Sequence, residues 1–141
     1  GEPARALSER RIKRTPLRDV AGMLRSFDYA AHAALFAQLE RGVITAETMN
    51  RIEPWARYWT HWTSVIFLQA YLASAGPGGF LPKTTQELKT LLESNEINKA
   101  LYELGYELNN RPTWLRIPLQ GILQIMQEGK STAGAAAPQS K

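Results

Sequence analysis

A repeated Tyr-Glu-Leu unit near the end of the chain decides the fold class, and it stands in the segment Tyr102-Glu103-Leu104-Gly105-Tyr106-Glu107-Leu108-Asn109-Asn110-Arg111-Pro112. The two copies are four residues apart, so an α-helix places both tyrosines on one stripe and both glutamates on the next. Arg111-Pro112 ends the pattern, because a residue before proline disfavours helical backbone angles. The repeat therefore predicts a helix that stops near Asn109-Asn110.

Helical spacing continues on both sides of this segment, and no stretch shows a convincing strand pattern. Residues 15–128 are therefore expected to form an all-α domain of about five helices. The signals are proline and threonine at helix starts and glycine at helix ends. A bend or restart is expected where proline interrupts the second helix, at residue 54. The predicted helices cover approximately residues 16–40, 45–74, 84–92, 95–110 and 118–128.

The two ends of the chain differ from this helical domain. Residues 1–14 lack hydrophobic periodicity, carry a block of basic residues, and are predicted to form an irregular basic arm. Such a block could bind nucleic acid or phosphate groups. No RNA-binding signature or helix-turn-helix pattern accompanies it, so a solvated arm without a nucleic-acid partner is expected. Residues 129–141 are rich in serine, alanine and glycine and are predicted to be a disordered tail.

The composition excludes several classes of protein. The chain has 141 residues, a net charge of +4 and no cysteine, which excludes disulfides and thiolate metal sites. Its two histidines, His32 and His61, match no metal motif, so no metal site is expected. No apolar run is long enough to span a membrane, and no signal-peptide pattern opens the chain. A cytoplasmic protein without a membrane partner is expected.

The glutamates and tyrosines of the repeat are the first candidate site. Glu103 and Glu107 are one helical turn apart on a stripe expected to be exposed, whereas catalytic carboxylates must flank a reacting bond. Hydrogen bonding to sugar hydroxyls is favoured over glycosidase chemistry. Tyr102 and Tyr106 could stack on a sugar ring or pack in a core, and both alternatives stay open.

Two further features have simpler interpretations. The aromatic residues Trp55, Tyr58, Trp59 and Trp62 follow helical spacing, which is more typical of a core or an interface than of a carbohydrate platform. Asp19 lies in the first turn of a predicted helix, where a carboxylate complements the helix dipole. The glycine-rich segment at residues 76–79 lacks the lysine and the strand-to-helix context of a phosphate loop.

Two blocks together, residues 16–31 and 102–119, resemble the carboxyl-terminal end of bacterial maltokinases. These kinases have an aminoglycoside-phosphotransferase-like fold and often occur fused behind a trehalose synthase. The likeness covers roughly residues 1–128. Residues 1–5 look like the end of the family's Asp-Phe-Glu-Gly-Glu-Pro segment, whose aspartate holds magnesium. The first block reads Pro16-Leu17-Arg18-Asp19-Val20-Ala21-Gly22-Met23-Leu24-Arg25-Ser26-Phe27-Asp28-Tyr29-Ala30-Ala31, and the second runs from the repeat to Trp114-Leu115-Arg116-Ile117-Pro118-Leu119.

The resemblance implies that the chain is the helical C-lobe subdomain of such a kinase. The parent enzyme transfers the γ-phosphoryl group of ATP to maltose and yields maltose 1-phosphate. ATP, Mg²⁺ and the catalytic loop would belong to an N-terminal kinase portion that is missing here. The chain would therefore bind no cofactor, hold no catalytic residue and be inactive alone. Asp19 would support the catalytic loop, and the implied contacts to maltose or a related oligosaccharide are Tyr29, Tyr102, Glu103, Tyr106, Glu107 and Arg111.

A non-catalytic helical protein-interaction module is the alternative, with the basic arm docking on an acidic partner. The two hypotheses predict different surfaces. A docking module should have a sealed core and a coherent surface patch. A kinase fragment should expose an apolar face, which the missing kinase portion or a homodimer would cover.

Overall fold

The computed structural model describes residues 15–135 of the chain, and it is all-α in that range, without a strand. The prediction of an all-α fold is confirmed, but the count of five helices is wrong. Short 3-10 turns at Gly76–Gly78 and Pro112–Trp114 precede the last two helices. The four helices of the described range are α1 (Leu17–Glu40), α2 (Ala46–Ala75), α3 (Thr85–Asn110) and α4 (Arg116–Ala135).

Two separate helices were expected in the region where the structure has the single helix α3. A new helix was expected to start near residue 95, yet Nδ2 of Asn95 donates a 2.7 Å hydrogen bond to the Leu91 carbonyl inside a continuing helix. Residues 85–104 contain neither glycine nor proline, so nothing in that stretch interrupts the backbone hydrogen bonds. The two predicted helices are therefore one.

The predicted starts of α2 and α3 and the predicted end of α1 are confirmed. Thr45 Oγ1 accepts a 3.1 Å hydrogen bond from the Thr48 amide at the start of α2. Thr84 and Glu87 form a reciprocal capping box at the start of α3, with bonds of 3.1 and 3.4 Å. Gly42, at a φ of +69°, follows the end of α1. Local capping chemistry thus sets these boundaries.

Two prolines lie inside helices. Pro54 lies within α2, which continues through it and does not restart there. Pro118 lies in the first turn of α4, where the backbone N–H needs no helical partner. The last helix extends beyond its predicted end near Glu128, to Ala135. The basic arm at residues 1–14 and residues 136–141 of the expected tail lie outside the described residues.

Helix α1 lies at the centre of the fold and packs against α2, α3 and α4. Val20 and Ala21 of α1 meet Leu92 of α3 in a small apolar core, against which Phe67 and Tyr71 of α2 pack. Further along α1, the buried positions change from apolar to charged. No helix within residues 15–135 combines the length and apolar character needed to cross a bilayer.

Candidate functional site

Helices α1 and α3 face each other through charged side chains. Glu103 and Glu107 lie on the α3 stripe that also buries Leu92 and Ala100, and they are only 9% and 1% exposed. The expectation that these glutamates lie on an exposed stripe is therefore wrong. A buried carboxylate requires a charged or hydrogen-bonding partner, and each of the two has one.

Arg25 is the partner of Glu103. Its Nε and Nη2 atoms donate hydrogen bonds of 3.2 and 2.8 Å to Glu103 Oε2, while Nη1 donates a 2.9 Å bond to Asp28. The guanidinium also lies against Gly121 of α4, where an added Cβ would be 2.1 Å from Nη1. Only glycine leaves room for it at that position. Arg25 therefore links α1, α3 and α4.

Arg111 is the partner of Glu107. Its Nε and Nη2 atoms donate bonds of 3.0 and 2.8 Å to the two carboxylate oxygens, a bidentate arrangement. The Tyr29 hydroxyl donates to Glu107 and accepts a 3.0 Å bond from Arg111 Nη2. Burial and the Glu107 carboxylate raise the pKa of Tyr29 above its ordinary value, so the phenol stays protonated. The hydrogen bond with Glu107 also raises the pKa of Arg111.

Aromatic rings surround the Arg111 guanidinium. Its Cζ lies 4.3 Å from the Trp114 ring centroid and 5.7 Å from that of Tyr106. The Trp114 indole donates a 3.0 Å hydrogen bond to Glu40, which ties this turn to the end of α1. Tyr102 and Tyr106 are 47% and 49% exposed. We call Tyr102, Tyr106, Arg111 and Trp114 the aromatic–arginine surface.

The structure brings together four of the six predicted contact residues, namely Tyr29, Tyr106, Glu107 and Arg111. Tyr102 lies one helical turn before Tyr106, whereas Glu103 points towards Arg25. Asp19 is exposed in the first turn of α1, outside this cluster.

A second charged cluster joins α1, α2 and α4 around His32. Its Nδ1 lies 3.1 Å from Asp28 Oδ1, and its Nε2 lies 4.0 Å from Glu53. Glu53 also receives bonds of 3.0 and 3.1 Å from Arg57 and Arg116. Asp28 also accepts a hydrogen bond from Arg25, so polar contacts run from Glu103 through Arg25, Asp28 and His32 to Glu53.

Burial and charge oppose each other in this second cluster. Burial alone would lower the pKa of His32, but the hydrogen bond and charge of Asp28 raise it above its ordinary value. Burial would raise the pKa of Asp28, but His32 and Arg25 hold it below its ordinary value. Burial would also raise the pKa of Glu53, but Arg57 and Arg116 hold it below its ordinary value. The charged forms are therefore the favoured ones in the folded protein.

Sequence reasoning missed Arg25, Asp28, His32 and Glu53 as partners. A signal was present, because Arg25, Asp28 and His32 continue the stripe of Leu17 and Ala21 at spacings of three and four. Charged residues on an apolar stripe indicate a buried, paired network. The residues on α3 that would pair with them could not be read from spacing alone.

The charged groups of the described range do not form a metal centre. Within residues 15–135, no group of three or more His, Asp or Glu side chains lies where it could hold a metal ion. A polar cleft of about 160 Å³ lies beside the Arg25–Asp28 pair, between residues of all four helices. Arg57, Ser64, Glu96 and Gln124 line it.

No protein-family model matches the chain.

Proposed function

We propose that the chain is the sugar-acceptor-binding C-terminal part of a maltokinase, whose parent protein is either a stand-alone kinase or a fusion with a trehalose synthase. One contact supports this proposal most. Arg111 Nη2 donates a 3.0 Å hydrogen bond to the hydroxyl of Tyr29, which is 82 residues away in the sequence, and the same guanidinium lies beside the Tyr106 ring. These three residues come from the two blocks that resemble maltokinases. Their convergence on one exposed surface is what a sugar-binding role requires.

The aromatic–arginine surface has the chemistry that an oligosaccharide needs. A sugar ring has apolar C–H faces, which pack on aromatic rings, and hydroxyls, which need hydrogen-bond partners. Tyr102 and Tyr106 are one helical turn apart, with a Cβ spacing of about 5–6 Å, so α3 presents two half-exposed tyrosines on one face to a disaccharide. Arg111 supplies N–H donors next to them.

Buried residues hold this surface in place. Glu107 is 1% exposed and already binds Arg111 and Tyr29, so it fixes the guanidinium rather than contacting a sugar. Glu103 has the same relationship with Arg25. A donor that is fixed before binding loses less entropy when the ligand arrives. We therefore assign sugar contact to Tyr102, Tyr106 and Arg111, and positioning to the two glutamates.

We assign phosphoryl transfer itself, with ATP and Mg²⁺, to the kinase portion that the resemblance implies. Four acidic side chains of this chain, Asp28, Glu53, Glu103 and Glu107, are instead paired with arginines inside the helix junction. This chain binds and orients the acceptor, and the exposed Asp19 is available to support the catalytic loop of that portion.

The test is maltose-dependent ADP release by the longer protein that contains this chain. ADP release should require maltose and should fall at least tenfold in Tyr106→Ala. Phe80→Ala, at an exposed aromatic residue between α2 and α3, is the control and should keep the wild-type rate. A rate of ADP release that does not depend on maltose, or an equal fall of the rate in both variants, would refute the proposal.

A further inference from the structure

Helix α2 exposes a continuous stripe of large apolar side chains on the side away from α1. We call it the α2 stripe: Trp55, Tyr58, Trp59, Trp62 and Ile66, which are 71%, 60%, 49%, 48% and 64% exposed. The spacing was expected to mark either a core or an interface. Because these side chains are exposed, the core alternative is wrong. Contiguous apolar patches of this kind on a folded domain mark interaction sites.

The ring geometry favours a protein partner over a sugar. Trp55 and Tyr58 cross at 72°, and Tyr58 and Trp62 cross at 61°. A carbohydrate platform needs ring faces that lie in one plane, whereas these rings stand edge to face. The stripe presents ridges and grooves instead, which suit the side chains of another helix.

We propose that the α2 stripe binds the same stripe of a second copy of this chain, with the two α2 helices antiparallel. The stripe supplies most of the area that a small dimer interface needs. Aromatic side chains of about 150–250 Å² each, exposed by half to seven-tenths, present on the order of 500 Å² together with Ile66. Specific interfaces bury from about 600 Å² per partner upwards.

The order of residues along the stripe fits a two-fold axis. If the axis passes between positions 59 and 62, Trp59 faces Trp62 of the partner subunit, and Trp55 faces Ile66 of the partner subunit. This arrangement is self-complementary, as an isologous dimer requires. A parallel pair would instead place the exposed Arg51 opposite its own copy, and like charges at close range repel. The antiparallel arrangement avoids this repulsion.

Light scattering of the purified chain tests the dimer. The wild-type chain should have the mass of a dimer at high micromolar concentration, and Trp59→Glu should be monomeric with an unchanged circular dichroism spectrum. Leu123→Glu, at a residue that is 57% exposed on α4, should stay dimeric. A monomeric wild-type chain, or a dimer that survives Trp59→Glu, would overturn the proposal.

Cross-linking tests the direction of the helices, and the chain suits it because it has no cysteine. In the antiparallel pair, position 55 faces position 66 of the partner subunit. The double variant Trp55→Cys/Ile66→Cys should therefore oxidise to a covalent dimer much faster than Trp55→Cys or Ile66→Cys alone. Fast dimerisation of the single variant Trp55→Cys would indicate parallel helices and contradict the proposed geometry.

Discussion

Arg25 and Glu103 are 78 residues apart in the sequence, yet Nε and Nη2 of the arginine donate to the same oxygen of the glutamate. Both side chains are almost completely buried. Two buried charges gain little net stability from their mutual attraction, because each has lost its hydration. What they fix is the register of α1 against α3, and hence the position of Tyr29 beside Arg111.

Glu103→Ala should leave the Arg25 charge buried with only part of its hydrogen bonding. We expect the free energy of unfolding to fall by about 3–5 kcal/mol, measured by urea denaturation. Glu93→Ala is the control, since Glu93 pairs with Lys89 at 3.6 Å on the surface of α3 and should cost at most about 1 kcal/mol. Equal losses would contradict the importance of the buried pair.

Gly121→Ala should disturb the same arginine from the side of α4. The new methyl group would lie 2.1 Å from Arg25 Nη1 and 2.7 Å from Cζ, and the guanidinium cannot move freely because Glu103 and Asp28 hold it. The expected loss is about 1–3 kcal/mol in the free energy of unfolding.

Gly22→Ala provides the opposite result for comparison. Gly22 lies inside α1 and an added Cβ there has no atom within 4 Å, so alanine should stabilise the helix by about 0.5–1 kcal/mol. Thermal and urea unfolding of the two variants should therefore give changes of opposite sign. An unchanged free energy of unfolding in Gly121→Ala would show that the Arg25 guanidinium can shift without cost.

Because of the cluster at His32, the free energy of unfolding should fall both at alkaline pH and at acidic pH. Because the folded protein raises the pKa of His32, its contribution is complete below the unfolded value of 6.5 and is lost as the pH rises through the folded value. The pKa values of Asp28 and Glu53 are lowered, so their contributions are lost as the pH falls below about 4. Stability should therefore be greatest between these two windows.

His32→Gln tests the alkaline part of this dependence. Urea unfolding between pH 6 and pH 9 (about the window above the ordinary histidine pKa) should show a falling stability for the wild-type chain and a nearly flat one for His32→Gln. His61→Gln, at the exposed histidine of α2, should retain the wild-type slope. An unchanged slope in His32→Gln would mean that another group is responsible.

Local sequence signals predicted the parts of the fold that depend on local chemistry. Thr45, Gly42 and the Thr84–Glu87 capping box gave correct helix ends because capping involves residues within one turn. The break expected at Asn95 was wrong because asparagine caps a helix only where the preceding residues leave it, and nothing forces them to do so.

The candidate site was predictable only in part. The repeat placed the tyrosines and glutamates on separate stripes of one helix, which is correct. It could not show that the glutamates face α1, because that depends on Arg25 and Tyr29, which lie on another helix. Hydrophobic spacing also could not predict that Trp55 and Trp59 would be exposed, since an aromatic stripe looks the same in a core and at an interface.

Arg111→Lys tests whether the fixed guanidinium matters for sugar binding. Lysine has one ammonium group and cannot form the bidentate bond that Arg111 makes to Glu107. Maltose affinity should fall about tenfold, about 1.4 kcal/mol, as measured by quenching of tryptophan fluorescence. Arg51→Lys, at an exposed arginine of α2, is the matched control. Equal affinities for the two variants would remove Arg111 from the proposed contacts.

The most direct test of the central claim is a calorimetric titration of maltose into the chain itself, with Tyr106→Ala and Tyr58→Ala titrated alongside. Tyr106 and Tyr58 are both half-exposed or more, on α3 and α2 respectively, so the two substitutions differ mainly in location. We predict saturable binding to the wild-type chain and to Tyr58→Ala, and at least a tenfold loss in Tyr106→Ala. Wild-type binding that Tyr106→Ala leaves unchanged, or no binding of maltose at all, would contradict the assignment of the aromatic–arginine surface.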